Sequence, residues 1–141
     1  LNMWSKTYSI TTNEVAREQM WKLFADVNGW HTWDSGVEYA QLNGAFEQGS
    51  HILLKPKGGP KIKIVLSEII EKKMFITVSS FPLAKIYHEH LFEETSDGLR
   101  ISYTITVKGV LSFLWVKLIA QNLFNSIPKD VVKQINIAKT L

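Results

Sequence analysis

Along residues 111–141 large apolar side chains recur in steps of four: Trp115, Ile119, Leu123, Ile127, Val131 and Ile135, with Ala138 three further on. That spacing holds one stripe on one side of an α-helix, so the whole segment is predicted to be helical. At about 1.5 Å per residue it runs to roughly 45 Å, the width of a domain of this size. Pro128 removes a backbone N–H from the ladder, which predicts a kink there. The first half of the segment is apolar nearly all round and is expected to be enclosed or to border an apolar opening.

Upstream of Gly109 the period changes. Residues 4–10 read as a first strand. Thr11 and Glu14 have the spacing of a capping box, flanked by Ile10 and Val15 as a hydrophobic staple. Ala16, Met20, Leu23, Phe24 and Val27 then recur at helical spacing until Asn28-Gly29 stops the helix. A short second helical turn follows at Trp30-His31-Thr32-Trp33. From Ser35 the period is two. Six further strands are predicted at 37–43, 49–55, 61–71, 74–80, 85–94 and 100–109, broken by Asn43-Gly44, Gly58-Gly59-Pro60 and Asp97-Gly98. Short connections between seven strands predict antiparallel pairing. In the last strand Ile101, Tyr103, Ile105 and Val107 share one face. In the strand before it Glu89 and Glu93 share a face with Tyr87 and Leu91. Unpaired carboxylates stay in water, so Ile86, His88, His90 and Phe92 are expected to face inward. A long apolar helix beside such a sheet must be covered by it.

Composition narrows the class without naming it. The chain has 141 residues, 45% hydrophobic and 21% charged, which fits one globular domain, here taken as 3–141. With no cysteine, disulfides, thiolate metal sites and thiol nucleophiles are unavailable. No apolar run reaches membrane-spanning length, so stable membrane insertion is not expected. No leader pattern precedes residues 4–10, and a cytoplasmic location is expected. A net charge of +3, scattered along the chain, does not point to nucleic acid.

Few residues carry candidate chemistry. His88 and His90, at i and i+2 on a strand, project to one face, and Glu94 completes the spacing His-x-His-x-x-x-Glu. That cupin-like motif needs a histidine on a later strand and a leading glycine. None follows His90, and Pro82 stands where the glycine belongs, so no metal is predicted, and no cofactor. A neutral histidine pair with Tyr103 on the neighbouring strand instead either offers hydrogen bonds to a guest inside an apolar space or forms a set of satisfied core polar groups. If catalysis occurs, His90 is the candidate general acid or base and Tyr103 the group orienting the substrate oxygen. Trp30 and Trp33 either wall a pocket mouth or anchor the short helices on the sheet. Lys55, Lys57, Lys61 and Lys63 either solubilise their hairpin or touch an anionic membrane. Gly58-Gly59-Pro60 lacks the end of a phosphate loop.

Several stretches together resemble the START-like superfamily, also called SRPBCC or Bet v 1-like, and within it the polyketide cyclase/dehydrase and lipid-transport group. They are Met20-Trp21-Lys22-Leu23-Phe24-Ala25-Asp26-Val27, Trp30-His31-Thr32-Trp33, Asn43-Gly44-Ala45-Phe46-Glu47-Gln48-Gly49, His90-Leu91-Phe92, Val107-Lys108-Gly109-Val110-Leu111 and Ile127-Pro128. The resemblance covers nearly the whole chain. It implies an α+β helix-grip fold: a seven-stranded antiparallel sheet wrapped round a long C-terminal helix, with two short helices after the first strand. It also implies a cavity between sheet and helix for a lipid, quinone, sterol or polyketide-like molecule. The expected wall is Trp33, His88, His90, Phe92, Ile101, Tyr103, Trp115, Ile119 and Leu123. Three functions stay open: a carrier or sensor without chemistry, a cyclase or dehydratase-type enzyme, and a quinone or lipid chaperone in transient contact with a membrane. The oligomeric state stays open too.

Overall fold

A computed structural model describes residues 2–141. Seven strands, β1 (Met3–Thr12), β2 (Val37–Asn43), β3 (His51–Pro56), β4 (Ile62–Ile70), β5 (Met74–Phe81), β6 (Ala84–Thr95) and β7 (Gly98–Lys108), form one sheet in the order β1-β7-β6-β5-β4-β3-β2. Every pairing is antiparallel. Helix α1 (Arg17–Ala25) and a 3₁₀ turn (Val27–Thr32) connect β1 to β2. The chain ends in a long helical arm made of α2 (Ser112–Trp115), a π-helical stretch (Val116–Ala120) and α3 (Gln121–Ala138). This is the helix-grip arrangement that the pattern predicts.

The alternation in β7 produces the clearest division of faces. Ile101, Tyr103, Ile105 and Val107 are buried. The intervening Ser102, Thr104 and Thr106 face outward, where their hydroxyls meet those of Ser9, Thr7 and Ser5 on β1 at 2.8, 2.7 and 2.9 Å. In β6, Ile86, His90 and Phe92 are buried as the placement of Glu89 and Glu93 requires. On α3 the stripe Ile127, Val131, Ile135 and Ala138 is buried against this sheet. An aromatic cluster of Phe24, Phe75 and Phe92, with Trp21 edge-on, fills the space beside α1.

One local expectation is corrected. Helix α1 does not begin at Thr11: β1 pairs with β7 as far as Thr12↔Leu99, which holds Thr11 in the ladder. The Thr12 hydroxyl accepts the Glu14 N–H at 3.1 Å, and the helix opens at Ala16, whose N–H is accepted by Gln19 Oε1 at 2.8 Å. A strand with partners along its full length outcompetes a capping box. Near the C-terminus, α3 runs through Pro128, and a π-helical stretch lies upstream of it at Val116–Ala120. Of the expected enclosure of the arm's first half, the alternative of an apolar opening applies, since Phe113 and Leu118 are exposed.

Candidate functional site

Because β6 and β7 turn alternate residues toward the terminal arm, and α1 fills only part of the gap, sheet and arm do not meet everywhere. Between them lies a cavity of about 790 Å³. Its floor comes from β5, β6 and β7 (Thr77, Ser79, Ile86, His88, His90, Tyr103) and its roof from the arm (Trp115, Leu118, Ile119, Leu123, Ile127), with Phe24, Trp30 and Trp33 completing the aromatic part of the wall. Loop residues 34–36 and the β3–β4 hairpin also line it.

Seven of the nine residues expected on the wall are there: Trp33, His88, His90, Tyr103, Trp115, Ile119 and Leu123. Phe92 and Ile101 are not. They point to the same side of the sheet, but each is 1% exposed inside the core, where Phe92 packs on Phe24 and Trp21. Period two assigns a face; only the position of α1 decides which part of that face stays open. Trp30 both walls the cavity and anchors its turn, its indole N–H donating to the Phe24 carbonyl at 2.9 Å. Of the lysine cluster, Lys57 reaches the cavity wall, while Lys55 pairs with Glu38 at 3.1 Å.

His88 and His90 stack on each other with ring centroids 4.0 Å apart. Burial pulls His88 down to about 4. Burial, reinforced by the neighbouring charge of His88, lowers His90 well below its ordinary value, against the pull of the Phe75 and His88 carbonyls. Both rings are therefore neutral at pH 7. Tyr103 donates its hydroxyl proton to Gln134 Oε1 on α3, and burial raises its phenol well above the ordinary value. His51, on β3, is exposed and does not join the pair.

Among the described residues, four buried side-chain polar atoms have no hydrogen-bond partner: Trp33 Nε1, His88 Nε2, His90 Nδ1 and Asp130 Oδ1. All four belong to residues lining the cavity. A buried polar atom left without a hydrogen bond costs about 1–3 kcal/mol, so their gathering round one space is chemically informative. The two carboxylates at the loop end are unusual as well. Burial raises Asp34 to about 6, aided by the charge of Asp130 and opposed by the Gly36 N–H, Lys133 and Lys57. Burial also raises Asp130, against the Ser35 N–H, Lys133, the Ser126 hydroxyl and Lys129.

Asp130 and Gln134 escaped the reading of the sequence. A signal for both exists: Leu123, Ser126, Asp130 and Gln134 are spaced three, four and four, a second row flanking the apolar stripe. All four line the cavity.

No family model matches the sequence, and no curated protein sequence matches it. Solved structures do match its fold. The crystal structure of Ara h 8.0201 superposes with a TM-score of 0.74 at 11% identity, covering 99% of each chain. A START superfamily protein from Mycobacterium smegmatis gives 0.70 at 14% identity, over 95% of this chain and 97% of that one. The di-domain ARO/CYC StfQ from the steffimycin biosynthetic pathway gives 0.71 at 12% identity, covering 98% of this chain and 50% of that one. The fold is thus the START-like, Bet v 1-like helix grip.

Proposed function

We propose that the protein binds an amphipathic small molecule, mostly apolar with a few hydrogen-bonding oxygens, in the cavity between its sheet and terminal arm. The observation carrying this reading is the pairing of a largely apolar wall with the unpartnered ring nitrogens of His88 and His90. A volume of about 790 Å³ lies in the usual range of small-molecule sites, and a few placed polar groups in an apolar pocket is their usual chemistry. Neutral imidazoles fit a hydroxyl or carbonyl better than an ionised headgroup. The likeness to a START superfamily protein and to the di-domain ARO/CYC StfQ is compatible with lipids, quinones, sterols and polyketides alike.

Acid–base chemistry by His90 and Tyr103 is less favoured. A buried imidazole held far below its ordinary pKa is a weak base at pH 7, and the Tyr103 proton is engaged by Gln134. Native mass spectrometry with a panel of a long-chain alcohol, a fatty acid, a quinone, a sterol and an aromatic polyketide tests the proposal. One molecule bound per chain, at affinities of about micromolar, is expected from at least one class. No adduct from any class would overturn it.

A further inference from the structure

Where β5 turns into β6 and β7 runs into α2, large apolar side chains stand in the open. Leu83, Val110 and Phe113 are 66%, 63% and 71% exposed. They belong to one region: the Leu111 N–H donates to the Leu83 carbonyl at 3.1 Å, and the Trp115 indole to the Pro82 carbonyl at 2.8 Å. Leu118, also exposed, carries this apolar surface to the cavity wall.

Leu83 is the odd residue among them. It occupies the second position of the two-residue turn between Phe81 and Ala84, at φ 56°. A left-handed backbone disfavours a bulky side chain, and glycine or asparagine ordinarily stands at such a position. Leucine there carries strain without gaining burial, which points to a use outside the chain's own core.

The charges around these tips are of one sign. Lys85 and Lys108 are Cα partners across β6 and β7, both exposed, although like charges directly opposite each other destabilise a sheet. Lys117 follows Phe113 along the arm, and none of the three has an ion-pair partner among the described residues. No aspartate or glutamate occurs in residues 72–88 or 98–129. Carboxylates gather at the opposite edge, where Glu94, Glu93 and Glu14 pair with Arg17, Arg100 and Lys139.

From this juxtaposition we propose that the β5–β6 turn and the start of the terminal arm dock on an anionic lipid bilayer. Leu83, Val110 and Phe113 enter the headgroup layer, and Lys85, Lys108 and Lys117 meet lipid phosphates. Exposed apolar tips beside cations without carboxylate partners, Lys108 resting over the Tyr87 ring at 5.1 Å, suit a soft anionic surface, to which basic clusters and inserted apolar side chains add their attractions. Leu118 then brings the cavity wall to the bilayer, a route by which an amphipathic guest is exchanged. The docking stands without the cavity reading; the exchange route rests on it.

Sedimentation with vesicles of phosphatidylcholine alone, or with 30% phosphatidylglycerol, tests the docking at about 100 mM salt. The wild-type chain is expected to pellet with the anionic vesicles and to stay largely in solution with the neutral ones. Leu83→Asn combined with Phe113→Asn, and separately Lys85→Glu combined with Lys117→Glu, should each lower the bound fraction at least tenfold. Asparagine accepts the backbone of residue 83, so thermal midpoints and uptake of the apolar dye N-phenyl-1-naphthylamine in the absence of vesicles should be unchanged. Wild-type protein that ignores anionic vesicles overturns the proposal, as do variants that bind like wild type. So does sedimentation velocity showing that these tips bury each other in a dimer. Failure of dye uptake with docking intact would overturn the cavity reading and leave the docking standing.

Discussion

His90 lies flat on Phe75, ring centroids 4.0 Å apart and planes within 7°. The same imidazole stacks on His88 at its other side of the strand face and reaches toward Tyr103, 5.1 Å between centroids. A polar ring is thus gripped by aromatic surfaces with one nitrogen unpartnered, which defines how it responds to acid and to substitution.

Acid should destabilise the protein through these histidines. Each is buried neutral, so the unfolded chain binds more protons as pH falls below about 6.5. Their contribution is complete above that value and is lost as pH drops toward about 4, where His88 titrates in the folded state. For His88 alone the loss amounts to about 3 kcal/mol, at about 1.4 kcal/mol per pH unit. Urea denaturation between pH 7 and 4 reads it, and the double change His88→Leu and His90→Leu should flatten that slope. An equally steep slope in the double variant would show that other groups carry it.

Asp34 should push stability the other way. Its folded value of about 6 lies above the unfolded one, so its contribution is present below about 4 and is lost as pH rises through 6. Asp34→Asn keeps an oxygen for the Gly36 N–H, which approaches Oδ1 at 3.0 Å. Thermal unfolding should show the variant more stable than wild type at pH 7.5 and equal to it at pH 4.

Residues on the cavity wall should tolerate truncation better than those in the packed core. Ile105 is fully buried, and Ile105→Ala should cost about 3 kcal/mol through lost transfer energy plus a new void. Leu123 is only half-buried and faces space that already exists, so Leu123→Ala should cost about 1 kcal/mol or less. Chemical denaturation of the two variants measures the contrast.

Gly109 is the hinge between sheet and arm, at φ 134°. A Cβ there would sit 2.3 Å from the Leu83 carbonyl oxygen and 2.6 Å from Ala84 Cα, both backbone atoms that cannot step aside. Gly109→Ala should therefore cost more than about 3 kcal/mol or prevent folding, as judged by circular dichroism and yield.

What the sequence disclosed follows from what each signal depends on. The seven strands and the buried rows of β6 and β7 were legible because period two and the Glu89–Glu93 argument need only neighbouring residues. The face of the terminal arm was legible for the same reason, from Ile127 to Ala138. The start of α1 was not, because pairing of Thr12 with Leu99, 87 positions away, overrides a local capping signal. The π-helical stretch at Val116–Ala120 has no proline or glycine to announce it. Phe92 and Ile101 were assigned to the right face but lie in the packed core rather than on the cavity wall, Phe92 because Phe24 and Trp21 of α1 cover it. Asp130 and Gln134 were masked by the stronger apolar stripe beside them.

The claim at the centre is that the space between sheet and arm admits a guest. Equilibrium titration of N-phenyl-1-naphthylamine against wild type and Leu123→Trp addresses it most directly. The indole adds bulk to the arm's side of the cavity, whose wall Leu123 lines. Wild type should take up about one dye per chain in a saturable way, and the variant should bind it more weakly while unfolding at the same or a higher temperature. Equal uptake by both proteins, or no saturable uptake by wild type, would contradict the account.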